Sequence, residues 1–491
     1  MPPPTPSLGG ARRALVASAL ALGALACGRS PARPQPPPPE RVAELVDGGQ
    51  FRAAEAAIGA ALAGDALEPA RREAYAFERE RMRRIRLDFS LDRAHVKAKL
   101  GEQVAGLDDA EFDRWDGDGA LEKMTIDGET RYFNRAASNL FRLRPDALAR
   151  RRPELGPPRD TPLLAPHPHH AEARAAALAG RTTSVAPRRV RVTHSITVDE
   201  GAAPPGATLR AWLPYPRAIA GQQEDLRLVA SAPPERLVAP ESALQRTVYL
   251  EAPAAAGRPT TFSITYELTT FARYFDIDPE KVVPAPDSPE LRPFVEERPP
   301  HVVFSDELRA FSRRAVGDET NPYRVARKLF DAVDRVPWAG AREYSTLRNI
   351  PDYVLRSGHG DCGQQTLLLI ALLRLNGIPA RWQSGWAFSD GDYDTMHDWG
   401  ALYLAPYGWV PVDVTFGQIE GASPELAWFY FGGLDAFRVA FNDDYGRDFV
   451  PPKLHPRSET VDLQRGEVEW EGGNLYFDRW RSNFDWRLLP R

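Results

Sequence analysis

The sequence predicts a multidomain α+β protein: an N-terminal helical region, an antiparallel β-sandwich, and then a compact α+β core. Three patterns predict it. Apolar residues recur at three- and four-residue steps from about 40 to 139, at alternate positions from about 190 to 266, and in mixed helix and strand patterns after about 300. At about 150 residues per domain, 491 residues leave room for three such units. The 62 Lys and Arg nearly cancel the 67 Asp and Glu, leaving a net charge of -5, and nothing in that balance supports a nucleic-acid partner. The 46 prolines point to long irregular connections, while 11 Trp and 22 Phe require packed interiors.

In chain order, residues 1–27 read as a secretory signal. Arg12 and Arg13 form the positive end, Ala14 to Ala26 an uncharged Ala- and Leu-rich stretch too short to span a bilayer, and Cys27 follows at once. Ala24-Leu25-Ala26-Cys27 resembles a bacterial lipobox, which implies acylation of Cys27 and a membrane anchor. Ala24 stands where Leu is commonest, so cleavage by an ordinary signal peptidase and an uncleaved anchor stay open. Gly28 lacks the Asp that retains many such lipoproteins at the inner membrane, which implies the outer one or its periplasmic face. Residues 28–39, ending in four prolines, are expected to be an extended spacer.

Residues 40–150 are expected to be a helical domain, because Val42, Leu45, Phe51, Ala54, Ile58 and Leu62 share one helical period around Gly48-Gly49. The Glu- and Arg-dense run from Glu68 to Leu87 reads as a solvated helix, and Asp113, Asp116 and Asp118 as a polar turn without the ligand spacing of a calcium loop. Residues 151–185, rich in Pro, Arg and Ala, read as a linker holding His167, His169 and His170. From 186 to 275 the period falls to two, in Val190, Val192, His194 and Ile196 and again in Phe262, Ile264 and Tyr266, which predicts the sandwich. The α+β core is expected over 295–450. The tail 451–491, with Trp470, Tyr476, Trp480 and Trp486, is expected to pack on it.

One constellation carries chemistry. Cys362 lies in Gly358-His359-Gly360-Asp361-Cys362-Gly363, directly before an apolar run that ends at Asn376-Gly377-Ile378-Pro379. This predicts a buried helix with Asp361 as N-cap and Cys362 in its first turn, where free N–H groups and the helix dipole favour thiolate while the Asp361 charge opposes it. His397 follows 35 residues later in His397-Asp398-Trp399, and a turn through Pro406-Tyr407-Gly408 leads to Asp413. This reads as a hairpin. A connecting loop with an odd number of residues puts His397 and Asp413 on one face, an even one on opposite faces. His359, Asp361, Cys362 and His397 could offer donors to zinc but lack the paired spacing such sites use, so neither metal nor cofactor is expected.

The segments "GDCGQQTLLLIALLRLNGIPARWQSGW", "HDW" and "GWVPVDVT", in this order, resemble the core of the transglutaminase-like superfamily, papain-like thiol enzymes, over roughly residues 320 to 420. The resemblance implies a catalytic triad of Cys362, His397 and Asp413. It also implies a thioester intermediate on a peptide or protein amide, and a polar aromatic near the oxyanion, for which Tyr344 and Trp338 are candidates. Many members have Ala where this chain has Asp398, whose carboxylate would raise the imidazole pKa or face solvent. Water as acceptor would make a peptidase or amidase, and a Lys amine a cross-linking acyltransferase; the sequence does not choose. The rival expectation is a non-catalytic module that uses the same fold to bind a partner.

Overall fold

A computed structural model describes residues 37–63, 67–156, 165–391 and 393–490; Cys27, the leader and most of the spacer lie outside them. The N-terminal region holds α1 (Pro39–Asp47), α2 (Phe51–Leu62), α3 (Pro69–Asp88), α4 (Arg93–Gly101), α5 (Asp109–Gly117), α6 (Ala136–Leu143) and α7 (Pro145–Arg150) around one apolar core. It differs from expectation at two points. A hairpin of β1 (Lys123–Ile126) and β2 (Glu129–Tyr132) interrupts the helices at an Asp127-Gly128 turn, and Asp113 and Asp116 lie within α5 rather than in a turn.

Helix α3 is not the solvated face its composition predicts. Arg84 is fully buried and Arg81 nearly so. Arg81 donates to the Thr346 carbonyl at 3.1 Å, and Arg84 donates to the Ser458 carbonyl at 3.1 Å. One side of a charge-rich helix thus becomes an internal buttress, its buried guanidinium groups bonded both to the neighbouring carboxylates of Glu78 and Glu80 and to carbonyls of distant segments. Residues 151–185 are likewise more than a linker. They form α8 (Pro168–Gly180), with His167 as N-cap. His170 Nε2 lies 3.0 Å from the Tyr430 hydroxyl, and the Ala436 N–H donates to His169 Nε2 at 3.0 Å. Two of the three clustered histidines are therefore buried fasteners.

The next strands are β3 (Ser184–Val198), β4 (Thr208–Pro214), β5 (Gln223–Ala232), β6 (Leu237–Val238), β7 (Thr247–Pro253) and β8 (Thr260–Tyr274). The core follows with α9 (Asp306–Val316), α10 (Pro322–Asp334), α11 (Ile350–Ser357), α12 (Cys362–Leu375), β9 (Ala380–Phe388), β10 (Asp394–Leu404), β11 (Gly408–Val412), β12 (Gly433–Leu434) and β13 (Arg438–Asn442). The tail adds β14 (Glu467–Trp470), β15 (Gly473–Leu475) and β16 (Trp480–Leu489). One sandwich sheet runs β12-β8-β3-β16 with β5 also on β8, and the other runs β15-β14-β4-β7-β6. The tail is therefore built into both sheets and also packs on the core. β16 pairs antiparallel with β3 from Trp480↔Val198 to Leu489↔Arg189, and Phe484 stacks flat on Trp386 at 4.3 Å.

The core sheet runs β11-β10-β9-β13, and α12 packs across one face of it. Caps fix the helix starts: Ser305, Asn321, Asn349 and Asp361 each accept a backbone N–H from the first turn. Helix α12 is buried on every side from Gly363 to Arg374, as an apolar run with no polar stripe requires. Among the described residues no helix is long and apolar enough to cross a membrane.

Candidate active site

Three segments far apart in sequence meet at Cys362. The first is the start of α12. Gly358, at φ 72°, ends α11 in a left-handed turn; Gly360 then pairs with the 337–339 backbone, and Asp361 caps α12 by accepting Gln364 N–H at 3.0 Å. The second is the turn Tyr344–Thr346, held from the N-terminal region. Asn139 donates to the Gly340 carbonyl at 2.8 Å and accepts from its N–H at 2.9 Å, and Asp88 accepts from Glu343 N–H at 3.1 Å. The third is the tail, which supplies Glu459, Asp462 and Gln464. Together they enclose a cavity of about 230 Å³ whose wall includes Trp338, Tyr344, Asp361, Cys362, Asp398 and Asp462.

The hairpin has the parity that joins His397 to Asp413. Leu404 pairs with Gly408, so the connecting loop has three residues, Ala405-Pro406-Tyr407, and both side chains fall on one face. His397 Nε2 lies 2.7 Å from Asp413 Oδ2. Arg438 Nη1 donates to the same oxygen at 2.6 Å, while Asp413 Oδ1 accepts N–H groups of Thr415 and Phe416 at 3.1 and 3.0 Å. Burial pushes the Asp413 carboxyl up, but the His397 and Arg438 charges outweigh it and hold the group well below the usual carboxylate range. An ionised Asp413 keeps a proton on Nε2, which leaves Nδ1 for any other partner. The ring stacks on Phe416 at 4.3 Å and is almost completely buried.

Cys362 and His397 are not hydrogen-bonded among the described residues. The thiol instead donates to Asp398 Oδ2 at 3.1 Å. The reason is strand alternation: β10 pairs with β9 without a bulge from Asp394↔Phe388 to Leu402↔Ala380, so adjacent His397 and Asp398 point to opposite faces. Asp398 is in phase with Leu402 and Leu404, which pack in the α12 core, while His397 is in phase with Trp399 on the far side. His397 does not line the cavity. The structure thus brings together His397 with Asp413, and Cys362 with Asp398, Tyr344 and Asp361, but does not join the two sets by a hydrogen bond.

The electrostatics also differ from the sequence expectation of a favoured thiolate. Burial pushes the Cys362 thiol well up, and the charges of Asp398 and Asp361 add to the shift, against the pull of the helix N-terminus. Asp398 does not face solvent, and its side chain lies on the opposite face of β10 from the imidazole. It is 1% exposed, accepts the thiol on Oδ2, and accepts Gln464 Nε2 on Oδ1 at 2.9 Å. The Tyr344 hydroxyl donates to Asp361 Oδ1 at 2.8 Å and lies 3.4 Å from Asp398 Oδ2. Gly363 is required by this packing, since a Cβ there would collide with the Tyr344 hydroxyl and Asp398 Oδ2. Trp338 sits at the cavity mouth, 37% exposed, with the Arg142 guanidinium 4.4 Å from its ring centre. Among the described residues no group of three or more His, Cys, Asp or Glu side chains is arranged to hold a metal ion.

Asp462, Gln464 and Arg438 escaped the sequence reading because their partners lie far away along the chain. Asp398 carried a legible signal: its phase with Leu402 and Leu404 turns it towards α12.

A cysteine in the first turn of a buried helix, packed on an antiparallel sheet that carries an imidazole–carboxylate pair, defines the core of a papain-like thiol enzyme. Residues 309–414 match the model of the transglutaminase-like superfamily. Among solved structures, the chain is similar to a proposed cysteine protease from Cytophaga hutchinsonii, at 18% identity over 62% of this chain and 92% of that one, with a TM-score of 0.41. It is also similar to a proposed protease from Parabacteroides distasonis, at 14% identity over 48% of this chain and 45% of that one, with a TM-score of 0.19. No curated protein matches the chain.

Proposed function

We propose that the protein is a cell-envelope thiol enzyme that opens peptide amide bonds through a thioester on Cys362. The observation that carries this reading is the position of Cys362, in the first turn of buried α12 and in the wall of a cavity, within a transglutaminase-like core. The sulfur attacks the amide carbonyl, and the Cys362 N–H is the donor placed for the developing oxyanion, because Asp361 already occupies Gln364 N–H. Collapse expels the amine and leaves the thioester; water or a second amine then releases the acyl group. His397 and Asp413 are the imidazole and carboxylate that the family resemblance assigns to proton transfer. Acylation of Cys27 would tether the enzyme to a membrane and present the cavity to peptide or protein in the envelope.

The test compares the wild type with Cys362→Ala on fluorogenic peptide amides, with and without a fluorescent primary amine. Release of amine by the wild type that Cys362→Ala abolishes supports the reading, and incorporation of the fluorescent amine assigns transfer over hydrolysis. Equal turnover by the two proteins would overturn it.

One observation favours a second reading, a non-catalytic binding module: the thiol bonds a carboxylate rather than His397. That reading expects Cys362→Ala to capture its partner as the wild type does while neither protein turns over any amide.

A further inference from the structure

Arg135, from the N-terminal region, stands in the wall of the cavity that holds Cys362 and lies outside the triad that the family resemblance assigns. We propose that its guanidinium receives a carboxylate of the substrate, so that the enzyme selects peptides carrying an acidic group beside the amide that Cys362 opens. This rests on the thiol-enzyme reading above, in which His397 keeps the proton transfer that the resemblance assigns to it.

Three features of the wall point to a carboxylate. The first is an unanswered cation. Arg135 is exposed, and among the described residues its guanidinium meets neither a hydrogen-bond acceptor nor an ion-pair partner. The other guanidinium groups of the wall are engaged: Arg465 pairs with Glu343 at 2.6 Å and stacks on Phe477 at 3.3 Å, and Arg342 lies over the rings of Phe89 and Tyr353 at 5.0 and 5.8 Å. The charge of Arg135 is felt as far in as Asp361, the neighbour of Cys362: burial raises that carboxyl to about 6, and Arg135 is among the groups that pull it back down.

The second is anchorage. The Arg135 carbonyl accepts the Asn139 N–H and the Ser138 hydroxyl, both at 2.9 Å, and the Asn139 side chain in turn clamps Gly340 through its N–H and its carbonyl. Gly340 has no side chain to hold the arginine off, and a Cβ there would lie 2.7 Å from Arg135 Cδ. The stem of Arg135 thus rests on the core backbone, which limits where the guanidinium can lie and lowers the cost of ordering it when a ligand arrives. The third is an apolar flank. Trp338 and Met396, each 37% exposed, lie in the same wall. Large apolar side chains left in water around a cationic group suit a residue whose methylenes end in a carboxylate.

The acid of the wall does not answer this guanidinium. Glu343 is bonded to Arg465, Asp361 accepts from the Tyr344 hydroxyl and Gln364 N–H, Asp398 accepts from the thiol and Gln464, and Glu459 accepts the N–H groups of Thr460 and Val461. Burial raises Asp361, Asp398, Glu459 and Asp462, so fewer negative charges stand in the cavity than its composition suggests. A planar fork of N–H donors that faces groups already bonded elsewhere is matched by a carboxylate that comes with the substrate and takes two of its N–H groups.

The test uses iodoacetate and iodoacetamide on the full chain, with Cys27→Ser in every sample so that Cys362 is the one thiol. Both reagents react with the same thiolate, so the ratio of their rates removes the thiol's own titration and leaves the pull on an incoming carboxylate. Arg135→Gln is expected to lower the iodoacetate-to-iodoacetamide ratio about fivefold at low salt, Arg135→Glu to lower it further, and Arg135→Lys, which keeps the charge, to retain most of it. A ratio that Arg135→Gln and Arg135→Glu leave unchanged would overturn the assignment. Peptide amides then identify the source of the carboxylate. Between C-terminally amidated peptides that differ only in Glu against Gln next to the scissile amide, the wild type is expected to favour Glu about tenfold in kcat/KM, mainly through KM, and Arg135→Glu to favour Lys instead. A preference that follows a free C-terminus rather than Glu supports the site with the terminal carboxylate as its ligand. The readings fail separately: an Arg135-dependent ratio without Cys362-dependent amide turnover overturns the amidase reading while the carboxylate site stands, and Cys362-dependent turnover indifferent to peptide charge and to Arg135 overturns this inference alone.

Discussion

The two faces of strand β10 offer a controlled comparison. His397 and Asp398 are adjacent, both almost completely buried, and each bonds one other functional side chain. On the His397 face a carboxylate, Asp413, meets an imidazole and the Arg438 guanidinium and is held low. On the Asp398 face a carboxylate meets a thiol, a phenol and two further carboxyls and is held high. Burial is common to both, so it does not choose the direction of the shift; the presence of a cation does. The first face is an ion-paired network, and the second sets carboxyls beside a thiol with no ion pair to Asp398 among the described residues.

The largest effect expected from breaking this contrast comes from Arg438→Met. It strips the cation from two buried carboxylates, Asp413 and Asp435, and should cost about 3–5 kcal/mol in urea unfolding at pH 7. A loss under 1 kcal/mol would mean that the His397 face is not held by charge. Next is Gly363→Ala, whose methyl would drive the Tyr344 hydroxyl and Asp398 apart, at about 1–3 kcal/mol. Its partner experiment is Gly385→Ala, where the added methyl meets the Val439 carbonyl on β13 with a similar cost. Only Gly363→Ala should also change the alkylation rate of Cys362, and equal effects from both would erase the distinction between the faces.

A smaller effect sharpens the electrostatic half of the comparison. Burial raises the Asp361 carboxyl to about 6, above its unfolded value of about 3.9. Its contribution to stability is therefore complete below about pH 4 and is lost as pH rises through about 6. Asp361→Asn keeps a capping oxygen and removes that loss. Because Asp361 retains a partly exposed edge, the gain is discounted for solvent screening to about 1–2 kcal/mol at pH 8, with none at pH 4. Thermal melts at the two pH values check it, and a variant less stable than wild type at pH 8 would reverse the sign assigned to this face. The smallest effect is Arg142→Ala, which removes the cation over half-exposed Trp338 and should cost at most about 1 kcal/mol in the same melts.

Much of this was determined by the sequence alone. Helix α12 begins at Cys362 because Asp361 caps it and an apolar run follows, and a turn between two strand patterns joins His397 and Asp413 in one hairpin, although its parity is settled only by the register Leu404↔Gly408. Each of these depends on spacing within a few residues, where period, capping and turn length act directly. Only the tertiary structure decided that Arg81 and Arg84 are internal, that the tail completes both sandwich sheets, and that Cys362 meets Asp398 rather than His397. A charged helix looks the same in sequence whether water or a distant carbonyl receives its guanidinium groups, and a strand's alternation fixes opposite faces without naming what will pack on each. The helix that covers one face of β10 sets the partner of the thiol, and that choice is made by packing between segments remote along the chain.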